Sequence, residues 1–312
     1  MTLVRCDDLF EIIRTSNDAG RIAAAYGELF SFYPLLNYEI GRGSIYWRGR
    51  LSEPSGFRLE RELGCPPALL CKAGRLNHPG TSCLYAATRR TTVFTELHAE
   101  PGDCVHIVGI RFLNDKPVRL IAIGDLFHVY KTGYARSLGS DPGRALSKML
   151  NETDRSLATR ILYVDAFLSQ VLSDQHASDK DYLPTRILAE VAYQKTGAKG
   201  MFYPSVQDHI GMNMAISTEA YESCAHITMS QVVRITSKHD FGFFDVQPLK
   251  HATGISEEGE FTWGDAASDV HTNIFNLTKE EAEFASGRDG EDSNTMLDLM
   301  SLSKHLRREK TS

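Results

Sequence analysis

Residues 74–96 read GRLNHPGTSCLYAATRRTTVFTE, and the rest of the chain is read outward from them. The stretch opens with Gly74, Asn77, Pro79 and Gly80. Glycine and asparagine tolerate positive φ and proline presets its own, so the backbone is expected to turn tightly here. The apolar run Cys83, Leu84, Tyr85, Ala86, Ala87 suits a buried strand. Thr88 is placed to cap a helix whose apolar face carries Val93, Phe94 and Leu97. Turn, strand and helix would together bring one arginine, one tyrosine and one glutamate near a common cleft.

Two other blocks carry polar residues in unusual company. Upstream, Tyr46-Trp47-Arg48-Gly49 ends a short strand expected over residues 45–47. An arginine at an apolar, glycine-flanked strand end is costly unless an anion or a carboxylate pairs with it. Its planar fork suits the pyrophosphate or ribose of a dinucleotide, and a core ion pair is the alternative. Downstream, Gly200-Met201-Phe202-Tyr203-Pro204-Ser205 reads as a strand whose proline fits only an end or an edge. Ser205 emerges just past that end, where α/β-type sheets often place functional side chains. A serine capping a turn is the alternative.

The pattern G-R-x-N-x-P-G, then L-Y, then a glutamate one helix later, flanked by these two blocks in order, resembles the RES-domain family. The family takes its name from an arginine, a glutamate and a serine, and the resemblance assigns these to Arg48, Glu96 and Ser205. It covers roughly residues 45–216, with a poorly matching middle. Leu76 departs from it, because the family usually has an aromatic residue there. The resemblance implies an α+β fold with an ADP-ribosyltransferase-like mixed β core and surrounding helices. It also implies consumption of NAD, with Glu96 as the key carboxylate and Tyr85 as a platform for the nicotinamide ring or ribose. Arg48, Arg75, Asn77, Tyr85 and Ser205 are the residues expected at the dinucleotide. Read without the resemblance, Tyr85 is a core tyrosine with its hydroxyl tied off and Glu96 a solvated helix residue. Arg75 equally suits a salt bridge or a phosphate, and Asn77 is better explained by the turn itself.

The activity implied is cleavage of the nicotinamide–ribosyl bond of NAD+, by an NAD glycohydrolase or phosphorylase acting as a toxin-like enzyme. A mono-ADP-ribosyltransferase acting on a protein is one alternative, and a non-catalytic NAD-binding regulatory protein is another. NAD+ enters as substrate, with no further cofactor and no metal. The expected partners are an antitoxin or inhibitor protein, with no nucleic acid and no membrane.

Bulk properties are those of an ordinary globular protein. The chain has 312 residues, 42% of them hydrophobic and 24% charged, enough for a substantial core. A net charge of -6 argues against a general nucleic-acid binder. Neither a signal peptide nor a run of about 18 apolar residues is visible. The six cysteines form no C-x-x-C and suit reduced thiols in the cytoplasm. The eleven histidines are scattered and form no H-E-x-x-H.

Three regions are expected. Residues 1–40 read as a helical N-terminal extension, through Leu9, Phe10, Ile13 and then Ile22, Tyr26, Leu29. The catalytic domain spans 41–249, and an acidic, partly disordered tail with short helices spans 250–312. The extension and the tail are candidates for self-inhibition or for assembly into a homo-oligomer. Further strands are expected at 106–112, 118–123 and 230–236, helices at 154–172 and 184–196, and a loop over 133–143. Glu258-Gly259-Glu260 resembles the E-x-E pair of another ADP-ribosyltransferase class only superficially and reads as solvated loop. Thr278 and Glu281 form a capping box, 286–294 a linker, and Met296 to Leu306 a short amphipathic helix.

Overall fold

The computed structural model describes residues 1–41, 45–113, 117–136, 140–208, 211–266 and 271–272. The capping box, linker and amphipathic helix expected after residue 277 lie outside the described residues.

Eight helices and eleven strands follow one another along the described chain. Helices α1 (Leu3–Thr15) and α2 (Ala19–Leu29) precede strands β1 (Leu36–Ile40) and β2 (Tyr46–Ser52). Strand β3 (Cys83–Ala87), helix α3 (Arg90–Glu96), β4 (Cys104–Phe112) and β5 (Val118–Ala122) come next. Four consecutive helices follow: α4 (Asp125–Thr132), α5 (Ser140–Glu152), α6 (Arg155–Leu172) and α7 (Leu183–Thr196). The chain closes with β6 (Gly200–Pro204), β7 (Met212–Ser217), α8 (Thr218–Cys224), β8 (Ala225–Lys238), β9 (Phe244–Ile255), β10 (Phe261–Asp265) and β11 (His271–Thr272).

The strands form one mixed sheet in the order β1-β5-β6-β7-β3-β2-β4-β8-β9-β10, with β11 pairing β9. Among the described strands only β5 and β6 run parallel, and the helices α4 to α7 make the crossover between them. Elsewhere the pairing is antiparallel, which makes the chain an α+β protein. The sheet is weakest in its middle. Strands β2 and β3 share one pair, Trp47 with Ala87. Beyond it β2 continues along β4, through Arg48 with Val108 to Ser52 with Cys104. β3 instead follows β7, from Cys83 with Ser217 to Ala87 with Asn213. The sheet therefore opens between its two halves beside Arg48.

The N-terminal helices belong to the main core. Cys6, Leu9, Phe10 and Ile13 recur at helical spacing and are buried, as are Ile22, Ala25, Tyr26 and Leu29. Thr2 and Asp18 cap the two helices with side-chain oxygens. Phe10 stacks on Phe167 of α6 with ring centroids 3.7 Å apart. The Tyr26 hydroxyl donates to the carbonyl of Pro184 at 3.1 Å. Past α2, the helical extension expected over residues 1–40 gives way to β1, because Leu36 to Ile40 pair with β5 in full register.

Buried carboxyls fix this region. Asp165 of α6 accepts from the Tyr33 hydroxyl, from Gly124 N at 3.0 Å and from Phe127 N at 2.7 Å. Asp125 accepts from Arg136 N at 3.2 Å and from the Tyr38 hydroxyl at 3.3 Å. Each carboxyl therefore ties the residues that follow α2 to α4 or α6. Burial pushes Asp125 up to about 6 and raises Asp165 too.

Three local expectations are corrected. Thr88 does not cap α3, whose N-cap is Arg89; its hydroxyl donates to Met212 O at 3.2 Å, so it prolongs the β3–β7 pairing. The stretch expected as loop over 133–143 contains the start of α5. Pro142 fits a first helical turn, and Gly143 lets α5 approach closely, since a Cβ there would lie 2.3 Å from Gly133 O. The sheet also continues past residue 250: β9 runs to Ile255 and β10 returns alongside it. Phe261 at the start of β10 is buried in the core, so the acidic composition conceals a hairpin. Glu258 and Glu260 are exposed at its turn.

Two outcomes are expected. Phe10→Ala removes a stacked, buried ring and costs about 3–5 kcal/mol in urea unfolding, as for a large-to-small core change. The second concerns pH. The folded form holds the Asp125 proton up to about 6 while the unfolded chain releases it near 3.8, so this group lowers stability as pH rises between those values. Asp125→Asn removes that dependence. Its stability relative to wild type should rise by up to roughly 3 kcal/mol between pH 4 and pH 7, as read by unfolding at the two pH values.

Candidate active site

Helix α3 carries the central group. Its residues Val93 and Phe94 are buried against the β2–β4–β8 half of the sheet, with Trp47, Val105, Ile107 and Val233. Thr92 and Glu96, one helical turn apart, face the other way and reach the far ends of β6 and β7. Thr92 Oγ1 donates to Asp208 Oδ2 at 2.6 Å. Glu96 Oε1 accepts from Ser205 Oγ at 2.6 Å and from Asn213 Nδ2 at 2.6 Å. A carboxylate on the last residue of a helix meets the negative end of the helix dipole. Two charge-assisted donors on one oxygen offset that cost and fix the side chain. Among the described residues none donates to Oε2.

Ser205 is almost wholly committed. Its hydroxyl proton points at Glu96, while its oxygen accepts from Gln207 N at 3.2 Å and Asp208 N at 3.0 Å. The serine therefore shapes the loop after β6 and holds the carboxylate. Asn213 pairs across the sheet with both Ala87 and Tyr203, which puts its side chain on the face of Glu96. The sequence places Asn213 on the strand after Ser205, as a neighbour of the site. Its spacing from Ser205 across a hairpin is the signal that could have identified it.

Tyr85 is two residues before Ala87 and shares its face. Its hydroxyl donates to Asn77 Oδ1 at 2.8 Å and accepts from Leu76 N at 2.9 Å. Burial keeps its pKa far above the usual phenol range, so the ring is neutral. Asn77 gives its amide to the carbonyls of Lys72, His78 and Thr81 at 3.0, 3.0 and 3.1 Å. Both readings of these residues meet here: Asn77 builds the turn, and the turn fixes Tyr85. Leu76 is buried in the core beneath the same turn.

The two arginines are placed differently. Alternation along β2 puts Arg48 on the face of Tyr46, opposite Trp47 and so opposite Glu96. Its Nε donates to Leu63 O at 2.7 Å and its Nη1 to Tyr85 O at 2.8 Å, across the opening between β2 and β3. Arg48 thus touches the backbone of Tyr85 without hydrogen bonding to Glu96, Ser205 or Asn77. Burial lowers its pKa from the ordinary value. Arg75 donates from Nη1 to Leu172 O at 2.8 Å and Asp174 O at 3.1 Å, at the end of α6, and lies over the Tyr182 ring. Glu100 is exposed and pairs with Lys238. Two surface clefts, one bounded by Glu39, Arg119 and Lys199 and one by Lys238 and Phe241, share no residue with this cluster. The chemistry of the polar side chains, not the size of a hollow, marks the site.

With this geometry in hand, the chain can be placed. A family model described as the RES domain matches residues 63–237, more than half of the chain, and the protein belongs to that family. The match contains Tyr85, Glu96, Ser205 and Asn213 and begins after Arg48. The family is associated in general with NAD-related enzymatic activity and toxin-like domains. No curated protein matches the chain. No helix among the described residues is long and apolar enough to cross a membrane.

One outcome tests the turn beneath Tyr85. A Cβ on Gly74 would lie 2.2 Å from Asn77 Oδ1 and 2.9 Å from the Tyr85 hydroxyl. Gly74→Ala should therefore break that pair and cost about 1–3 kcal/mol, as overpacking does. Urea unfolding reads the cost, and an unchanged midpoint would mean that the turn yields without strain.

Proposed function

We propose that the protein cleaves the bond between nicotinamide and ribose in NAD+, as a glycohydrolase or phosphorylase with an ADP-ribosyltransferase-like site. The observation that carries this reading is the Glu96 carboxylate, held on one oxygen by Ser205 and Asn213 and open on the other. Such a group suits a reaction that passes through a sugar cation. As the C1′–N bond breaks, its electron pair leaves with nicotinamide, which becomes neutral, and positive charge develops on the ribose ring. A fixed carboxylate stabilises that charge, and its free oxygen can accept a ribose hydroxyl. The acceptor, water or phosphate, then bonds to C1′ through its oxygen, with loss of a proton to solvent in the case of water.

The other residues take supporting parts in this reading. Tyr85 offers a rigid neutral ring on the same face as Glu96, suited to stacking with a planar group. Arg75, at the end of α6, supplies positive charge for the diphosphate, while Arg48, on the opposite face, braces the backbone of Tyr85 across the opening between the sheet halves. Ser205 acts by holding Glu96, and Asn213 joins it. NAD+ is the substrate and no metal is called for. Loss of NAD would harm the producing cell, so an antitoxin or inhibitor protein is the partner this function requires.

The test is release of free nicotinamide from NAD+ by the purified chain, with and without phosphate. Faster release in phosphate, with a phosphorylated sugar product, identifies a phosphorylase. Glu96→Gln should lower the rate about 100-fold or more, and Asn213→Ala about 10-fold. Tight NAD+ binding with no nicotinamide release would instead make the protein a sensor, and transfer of label to a protein would make it a transferase.

A further inference from the structure

We propose that the Tyr203 hydroxyl is a substrate contact, bonding the second hydroxyl of the ribose whose first is taken by Glu96, so that the site reads an intact sugar diol. The inference rests on the NAD+ reading above and adds a residue that the family motifs leave as part of a strand.

The Tyr203 hydroxyl has no partner among the described residues and is not sealed from water. Tyr203 is 5% exposed, its ring packed among Met201, Ala215 and the residues of α6 and α7. Buried tyrosine hydroxyls ordinarily find a partner. The buried Tyr26 and Tyr33 do so here, with Pro184 and Asp165, and the half-buried Tyr38 and Tyr85 with Asp125 and Asn77. Tyr203 makes no hydrogen bond with any described residue. Packing alone explains its ring and leaves its oxygen without a function.

Its position supplies one. Tyr203 pairs directly with Asn213 in the antiparallel β6–β7 ladder, so the two side chains stand side by side on one face. Asn213 holds Glu96, and Ser205, which also holds Glu96, is two residues along the same face from Tyr203. The phenol lies within electrostatic reach of both Glu96 and Arg75, the first raising and the second lowering its pKa. Burial is the largest influence and keeps it protonated well above neutral pH, so it can donate as well as accept. A protonated phenol beside a carboxylate with one free oxygen matches two adjacent sugar hydroxyls, one accepted by each group.

Tyr193 of α7 provides the control. Its hydroxyl also makes no hydrogen bond with a described residue, yet Glu96 is not among the charges that act on it. The experiment measures nicotinamide release and equilibrium binding for the full chain, Tyr203→Phe and Tyr193→Phe. The probes are NAD+ and its 2′-deoxy and 3′-deoxy analogues in the nicotinamide ribose. Tyr203→Phe keeps the ring, so the melting temperature should not move, while kcat/KM for NAD+ falls roughly 10-fold. Against one deoxy analogue the loss should vanish, because the contact is already missing there. Tyr193→Phe should match wild type. Equal kcat/KM for Tyr203→Phe and wild type on NAD+, or the same loss on all three substrates, overturns the proposal. If wild type releases no nicotinamide, the catalytic reading fails by itself. The binding constants then decide the contact, with the same pattern expected in Kd and equal Kd values overturning it.

Discussion

The hydrogen bonds from Ser205 and Asn213 to one oxygen of Glu96 join the two halves of the sheet where their strands part. Helix α3 is packed on the β2–β4–β8 half of the sheet, while Ser205 and Asn213 end strands of the other half. The halves share a single backbone pair between β2 and β3. A carboxylate bridging them has two consequences. It fixes α3 against the loop after β6, helped by Thr92 and Asp208, and it orients the free carboxylate oxygen. Stability of the junction and readiness of the site therefore come from the same contacts.

Around that junction the protein uses buried polar groups sparingly and satisfies most of them. His106 accepts from Phe57 N at 3.0 Å and faces Ser230 at 2.6 Å, and burial pushes it down to about 3, so it stays neutral. Its Nδ1 accepts, so the ring proton is on Nε2 and Ser230 takes it. Asp165 gathers two backbone amides and a tyrosine, which secures the long helical crossover to the residues following α2. The N-terminal helices are thereby built into the core that backs β6, the strand carrying Tyr203 and leading to Ser205. The family match begins at residue 63, so this chain supports its site with elements that precede the matched region.

The contrast between Tyr85 and Tyr203 shows how two like residues on one sheet face divide. Tyr85 spends its hydroxyl on Asn77 and Leu76 and is left with a rigid ring. Tyr203 keeps its hydroxyl uncommitted to the described residues. The first can present a surface, the second a hydrogen bond. Neither distinction follows from residue type, and each depends on what the fold brings within 3 Å.

Sequence by itself determined the α+β class, the family, and the presence of Tyr85, Glu96 and Ser205 in one ordered set. The class, family and residue set rest on the resemblance of three motifs in order, and the elements on local signals: an apolar run that makes β3, a proline ending β6, and helical spacing in α1, α2 and α6. It misjudged Thr88, Gly143 and the region after residue 250, because a cap, a close helix approach and an edge hairpin depend on distant partners. It named Arg48 without its face, and face follows from the register of β2 against β4. It took Asn213 only as a neighbour of the site and passed over Tyr203, which looks like an ordinary strand residue until pairing sets the two side by side. Only the tertiary structure decided that Glu96 bridges two halves of a sheet, since that contact spans 109 residues to Ser205 and 117 to Asn213, beyond the reach of any local pattern.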